Sequence, residues 1–246
     1  MVPIWLKIVY TLFVAVLVPI YWRQYGPANF LWFSDVALLM MVPALWLENA
    51  LLVSMMALSV LLLELVWNID FWVRLATGKS LIALSAYMFD PKIPLFIRGL
   101  SLFHIALPIL LVWLMSRLGY DRRAWLWQTL VALVVLPLSY RVTNPRENIN
   151  WVYGFGEKPQ TILPAPLFII LLMVGFPLVI WAFRLTLRDG WSLLTARHYG
   201  FLIILVVAPL ILAGLAVFQL VMHELGEVLE RKAREHKGKG SPDDAA

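Results

Sequence analysis

The segment Arg98-Gly-Leu-Ser101-Leu-Phe-His104-Ile-Ala-Leu-Pro108 lies inside a run of about 20 mostly apolar residues, long enough to cross a bilayer. Positions three or four apart share one face of a helix. Arg98, Ser101, His104 and Pro108 therefore read as one polar, kinked stripe on an apolar rod. An ionisable side chain at membrane depth is costly and usually faces the bundle interior with a partner. The other helices are thus expected to be arranged around His104.

Composition agrees with that reading. Of the 246 residues 62% are hydrophobic and 14% charged, with mean hydropathy +0.82. A soluble domain carries about 25% charged residues, so the chain reads as an all-α, polytopic transmembrane helical bundle. The absence of cysteine excludes disulfides, thiolate nucleophiles and thiolate metal sites, and nothing calls for a metal or another cofactor. The net charge of +5 lies mainly in loops and the C-terminal tail. It points to orientation and to membrane lipids as partners, not nucleic acid. The first apolar run has no small-residue cleavage site and leads into Tyr21-Trp22-Arg23, as an anchor does.

Outward from the opening stretch, about seven spans are expected, at 3–21, 30–47, 50–71, 95–115, 124–140, 164–185 and 199–220. Lys7 is placed to snorkel near the start of the first. Residues 72–92 lose the pattern and break at Gly78-Lys79-Ser80, which suggests a segment lying on the bilayer surface. The loop 141–163 is rich in Pro, Gly and Asn, and its aromatic residues suggest that it folds back over the bundle. Residues 1–229 form one helical domain, and 230–246 a basic tail expected to be disordered and cytoplasmic. Pro43, Pro108, Pro137, Pro177 and Pro209 each interrupt a span. Carbonyls freed by such kinks need partners nearby. No internal repeat marks an inverted-repeat transporter.

Seven crossings put the termini on opposite faces. With the tail inside, the inner segments together with the span ends bordering them hold 13 Lys and Arg, counting Arg98, and the outer loops with their span ends hold 6, counting Arg184. The positive-inside rule then gives N-out, C-in, in what reads as a bacterial cytoplasmic membrane. The same parity gathers polar residues toward the inner leaflet: Asp35, Glu64, Asn68, Asp70, Arg98, Asn148, Asn150, Trp151, Tyr153, His223 and Glu227 near that face, His104 deeper. A polar cavity open to the inner side is expected around His104. Snorkelling from the interface accounts for the shallower groups; Glu64 and His104 sit too deep for it.

Histidine at depth serves as a general base, a proton relay, a metal ligand or a satisfied structural residue. A hydrolase needs a nucleophile within reach of the base and a group that orients it. Without cysteine the candidates are Ser34, Ser101 and the threonines. Asp35 or Glu64 could orient the imidazole or neutralise Arg98. The candidate catalytic set is His104, Asp35, Glu64 and Ser34, with Arg98, Ser101, Asn68, Asn148, Asn150, Trp151 and Tyr153 as candidate substrate contacts. His223-Glu224-x-x-Glu227 is not the H-E-x-x-H of zinc peptidases, since its second histidine is a glutamate. A lipid-directed enzyme, a small-molecule or proton-coupled transporter, and a non-catalytic membrane scaffold all remain open on these residues.

Four short matches resemble the androgen-induced integral-membrane family. These are Phe30-Leu31-Trp32-Phe33-Ser34-Asp35, Phe103-His104-Ile-Ala-Leu107-Pro108, Trp151-Val152-Tyr153 and Leu225-Gly226-Glu227, in the family's order. Members of that family hydrolyse fatty-acid esters of hydroxy fatty acids with a threonine and a histidine. The resemblance implies a helical membrane fold and a role for His104. It departs at the nucleophile, where Trp32 stands in the threonine's place, with Ser34 two residues on, and the family has one span fewer before its closing motif.

Overall fold

The computed structural model describes residues 1–156 and 159–194. Its described residues form helices and loops, with no strand. The expected seventh span, the His223–Glu227 motif and the basic tail lie outside the described residues.

Helix α1 runs Ile4–Tyr25 and α2 Phe33–Leu47, with a 3-10 turn, Pro27–Leu31, between them. Helix α3, Ala50–Thr77, starts where the Asn49 side chain accepts from the Leu52 amide at 3.1 Å, an N-cap of the usual kind. It stops at Gly78, whose φ of 73° is the left-handed conformation that glycine adopts without steric cost. Helices α4 (Leu95–Leu100), α5 (Phe103–Leu118), α6 (Ala124–Val142) and α7 (Ala165–Leu194) follow. Five stretches are long and apolar enough to cross a membrane: α1, α3, α4 with α5, α6, and Ala165–Leu185 of α7. The shorter apolar helix α2 stands beside them. The architecture is compatible with a helical membrane bundle.

Helix α3 is the centre. It packs against α2, α5, α6 and α7. In its apolar stretch 67% of residues are buried, against 22% in α1 and in α7. Leu38 and Met41 of α2, Met56 of α3 and Leu107 and Leu111 of α5 are all fully enclosed. Phe33 stacks on Phe176 at 4.6 Å, tying the start of α2 to α7. Residues such as Ile109, Val134 and Leu178 face outward, as lipid-facing positions do.

The bundle has two ends of different character. At one, Lys7 Nζ donates to Glu48 Oε1 at 2.8 Å, and the Asp121 amide donates to Ser54 Oγ at 2.9 Å. Lys7 is therefore buried in a pair and not merely snorkelling, because the α2–α3 turn presents a carboxylate beside it. The other end collects the loops 78–94 and 143–163.

One expectation about local structure changes. The 95–115 span is not one straight helix but α4 and α5 joined at Ser101–Leu102, where ψ falls to −8° and −4°. Backbone bonds there close over three residues, Leu102 to Gly99, His104 to Ser101 and Ile105 to Leu102, a 3-10 step. Arg98 and His104 consequently do not sit on one continuous helical face. The region 72–92 contains the last turns of α3, an irregular loop and one 3-10 turn, Ala86–Phe89. Asp70 is the physical reason. Its Oδ1 accepts from Ser80 Oγ and the Leu81 and Ile82 amides, and its Oδ2 from the Ser85 amide and hydroxyl, at 2.7–3.3 Å. A fully buried carboxylate with five donors folds the loop back onto the end of α3.

Candidate functional site

Glu64 lies on α3 facing the start of α5. Its Oε1 and Oε2 lie 3.0 and 2.8 Å from His104 Nδ1, and the residue is only 2% exposed. The imidazole is held between two rings: Trp67 stacks at 4.7 Å and Phe103 at 4.1 Å. His104 Nε2 has no hydrogen-bond partner among the described residues.

Asn68, one turn beyond Glu64, fixes the backbone of both partners. Its Nδ2 donates to the Glu64 carbonyl at 2.8 Å and to the His104 carbonyl at 2.7 Å. The second bond has a cause in the sequence. Pro108 has no N–H, so the carbonyl four residues earlier, that of His104, loses its helical donor. In an apolar surrounding such a carbonyl must be satisfied from elsewhere, and Asn68 does so from the neighbouring helix.

Asp35, in the first turn of α2, is 4% exposed. Its Oδ2 accepts from Asn29 Nδ2 at 3.2 Å, while Oδ1 has no partner among the described residues. It lies within electrostatic range of both His104 and Glu64. Tyr21 of α1 and Ser101 share a hydrogen bond at 2.6 Å. Tyr87 of the 3-10 turn lies beside Ser101 and within range of Tyr21, Glu64 and Asp35. Segments remote in sequence thus deliver one buried polar cluster with two carboxylates, an imidazole, phenols and a hydroxyl.

Other candidates take different places. Ser34 is half-buried and its hydroxyl bonds to no described residue. Arg98 Nη1 donates to the Met88 carbonyl at 3.0 Å, and its Nε is buried without a partner among the described residues. It pairs with no described carboxylate, so neither Asp35 nor Glu64 is its counter-ion. The loop 143–163 does fold back over the bundle, but its amides are used in doing so. Asn150 Oδ1 accepts from the Phe33 amide at 3.1 Å, and its Nδ2 donates to the Leu31 carbonyl and to Ser139 Oγ. It caps α2 from more than a hundred residues away. Asn148 Nδ2 donates to the Gly154 and Gly156 carbonyls, and its Oδ1 accepts from the Tyr153 amide. The Tyr153 hydroxyl lies 2.7 Å from the carbonyls of Tyr140 and Thr143 at the end of α6. Trp151 lines an open cavity of about 260 Å³ together with Trp32, Ile82, Leu84, Arg146 and Glu147.

Sequence reasoning missed Asn29, Tyr21 and Tyr87. Tyr21 reads as an interfacial aromatic at the end of a span, and Tyr87 falls where the hydrophobic pattern is weakest. Only parity, which puts both on the face that carries Asp35 and Glu64, could have raised them. Among the described residues no group of three or more His, Cys, Asp or Glu is placed to hold a metal ion. Comparison with protein-family models, with curated proteins and with solved structures gives no match to this chain.

Proposed function

We propose that the chain is an integral membrane enzyme directed at lipid esters, with His104 as its general base. The bidentate seat of Glu64 on Nδ1, with Nε2 unpartnered, carries this reading. A carboxylate on one ring nitrogen fixes the tautomer and stabilises the imidazolium that forms when the other takes a proton. In the hydrolysis proposed, a water, or the Ser34 hydroxyl, attacks the ester carbonyl and loses its proton to Nε2. The tetrahedral adduct collapses, the carbon–oxygen bond to the leaving alkoxide breaks, and the alkoxide takes the proton back. With a serine nucleophile, water repeats the cycle on the acyl-enzyme. The amides of Asn148 and Asn150 are engaged with backbone groups and Ser139, so Arg98 is the better candidate to stabilise the oxyanion. The resemblance to hydrolases of fatty-acid esters of hydroxy fatty acids supports the substrate class. Seven spans, an external N-terminus, a cytoplasmic C-terminus and a bacterial inner membrane complete the proposal, on the Lys and Arg distribution.

The unpartnered Asp35 Oδ1, close to the Glu64–His104 pair, favours a second reading. There the cluster is a proton relay in a proton-coupled carrier. A panel of lipid esters given to purified protein in nanodiscs separates the two. Turnover that falls about 10²- to 10⁴-fold in His104→Gln, the usual worth of a general base, supports the enzyme. No turnover of any ester, together with uptake into vesicles that follows a pH gradient, supports the carrier.

A further inference from the structure

The open cavity at the loop end is separate from the His104 cluster, which supplies none of its walls. It measures about 260 Å³, far more than the ~10–15 Å³ that one water needs. Each wall is braced by polar bonds made behind it. Asp70 holds the Ile82–Leu84 side. Asn148 closes the opposite loop on itself, and Asn150 brackets Trp32 through Leu31 and Phe33. Among the described residues five non-glycines have positive φ, and four of them, Ala83, Asn148, Asn150 and Trp151, lie in or beside these walls. Such backbone costs about 1–3 kcal/mol per residue and persists where surrounding structure over-determines it.

The residues that line the cavity form a chemically mixed set. Arg146 makes no ion pair with a described residue. Glu147 uses only Oε2, which accepts from the Asn144 amide. Trp32 and Trp151 stand in the lining with Ile82 and Leu84. Leu81, Val142 and Phe155, exposed apolar residues of the adjoining segments, give this end of the molecule an apolar shoulder, as expected at a membrane interface.

We propose that this cavity binds the headgroup of a zwitterionic phospholipid of the phosphoethanolamine type. The phosphate sits on the Arg146 guanidinium, whose planar donors match it. The ammonium sits at Glu147, where the Trp32 and Trp151 faces attract a cation. The acyl chains lie over the apolar shoulder. The cavity holds a lipid whether or not the His104 cluster hydrolyses esters.

The test is lipid retention, which does not depend on turnover. Delipidated protein in detergent is offered phosphatidylethanolamine or phosphatidylglycerol, and bound lipid is counted by native mass spectrometry. The wild type should retain phosphatidylethanolamine about tenfold more firmly, equivalent to ~1.4 kcal/mol. Arg146→Gln should lose that retention, and Glu147→Gln should lose the preference while still holding a phospholipid. Both side chains are exposed, so neither change threatens the fold. Equal retention of both lipids by the wild type, or unaltered retention by Arg146→Gln, would overturn the proposal. Displacement of the lipid by equimolar glycerophosphoethanolamine, which has no acyl chains, would assign the cavity to a soluble phosphodiester and overturn the lipid assignment.

Discussion

Asn68 does at the residue scale what the helix ladder cannot do around Pro108. Replacing it by Ala leaves the His104 carbonyl without a donor in an apolar setting, which costs about 1–3 kcal/mol. The dependence on proline gives the claim a sharper test. In a Pro108→Ala background the restored amide can donate to that carbonyl, so the cost of Asn68→Ala should shrink. Thermal unfolding of the four proteins measures the coupling; strictly additive effects would break the link drawn between proline and amide. Glu64→Ala should cost more, about 3–5 kcal/mol, since it strands one partner of a buried pair. The inward placement of Glu64 and His104 was legible because ionisable residues at that depth have few bland explanations. Their direct contact was not, because residues 40 apart have no fixed relation until the helices pack.

Elements were legible where hydrophobic runs are long and poorly legible at their joints. The break at Ser101–Leu102 escapes sequence reading because α and 3-10 steps differ by one hydrogen-bond register and use the same residues. Gly99 and Pro108 flank it, yet both are common enough in membrane helices to be uninformative. The loop 143–163 could be read as folded back from its aromatics. Its asparagines could not be read as caps, because the helix that Asn150 serves begins at Phe33. Asn150→Gly tests that role, keeping a residue that accepts φ of 54° while removing the side chain. The variant should lose about 1–3 kcal/mol, and faster hydrogen exchange should follow at the Phe33 amide. Unchanged exchange there would show that the cap is dispensable.

At the scale of the whole molecule the end that carries the α2–α3 turn is the one expected to answer to acid. Glu48, in the α2–α3 turn, is held below its ordinary value of 4.5, first by the hydrogen bond from Lys7. A depressed carboxyl contributes stability above its unfolded value and loses it as pH falls through the lowered one. The wild type should therefore exceed Glu48→Gln in melting temperature at neutral pH, with the gap closing below about pH 4. A gap that persists into strong acid would mean that the ion pair is not its source. Composition and parity anticipated the gathering of polar residues at one end. They could not anticipate that so many of those groups would be consumed internally, as Asp70, Asn148 and Asn150 are, because hydrogen-bond partners belong to the folded chain and not to any one segment.

The central place of α3 bears on biogenesis. Glu64 is synthesised 40 residues ahead of the histidine that pairs with it; at about 5–20 residues per second the delay is roughly 2–8 s. For that interval the most enclosed of the described helices carries an acidic group without the histidine that pairs with it. If the bundle is inserted helix by helix, α3 should be slow to leave the insertion machinery before α5 arrives, and a nascent chain halted between the two should linger there as a substrate for membrane quality control.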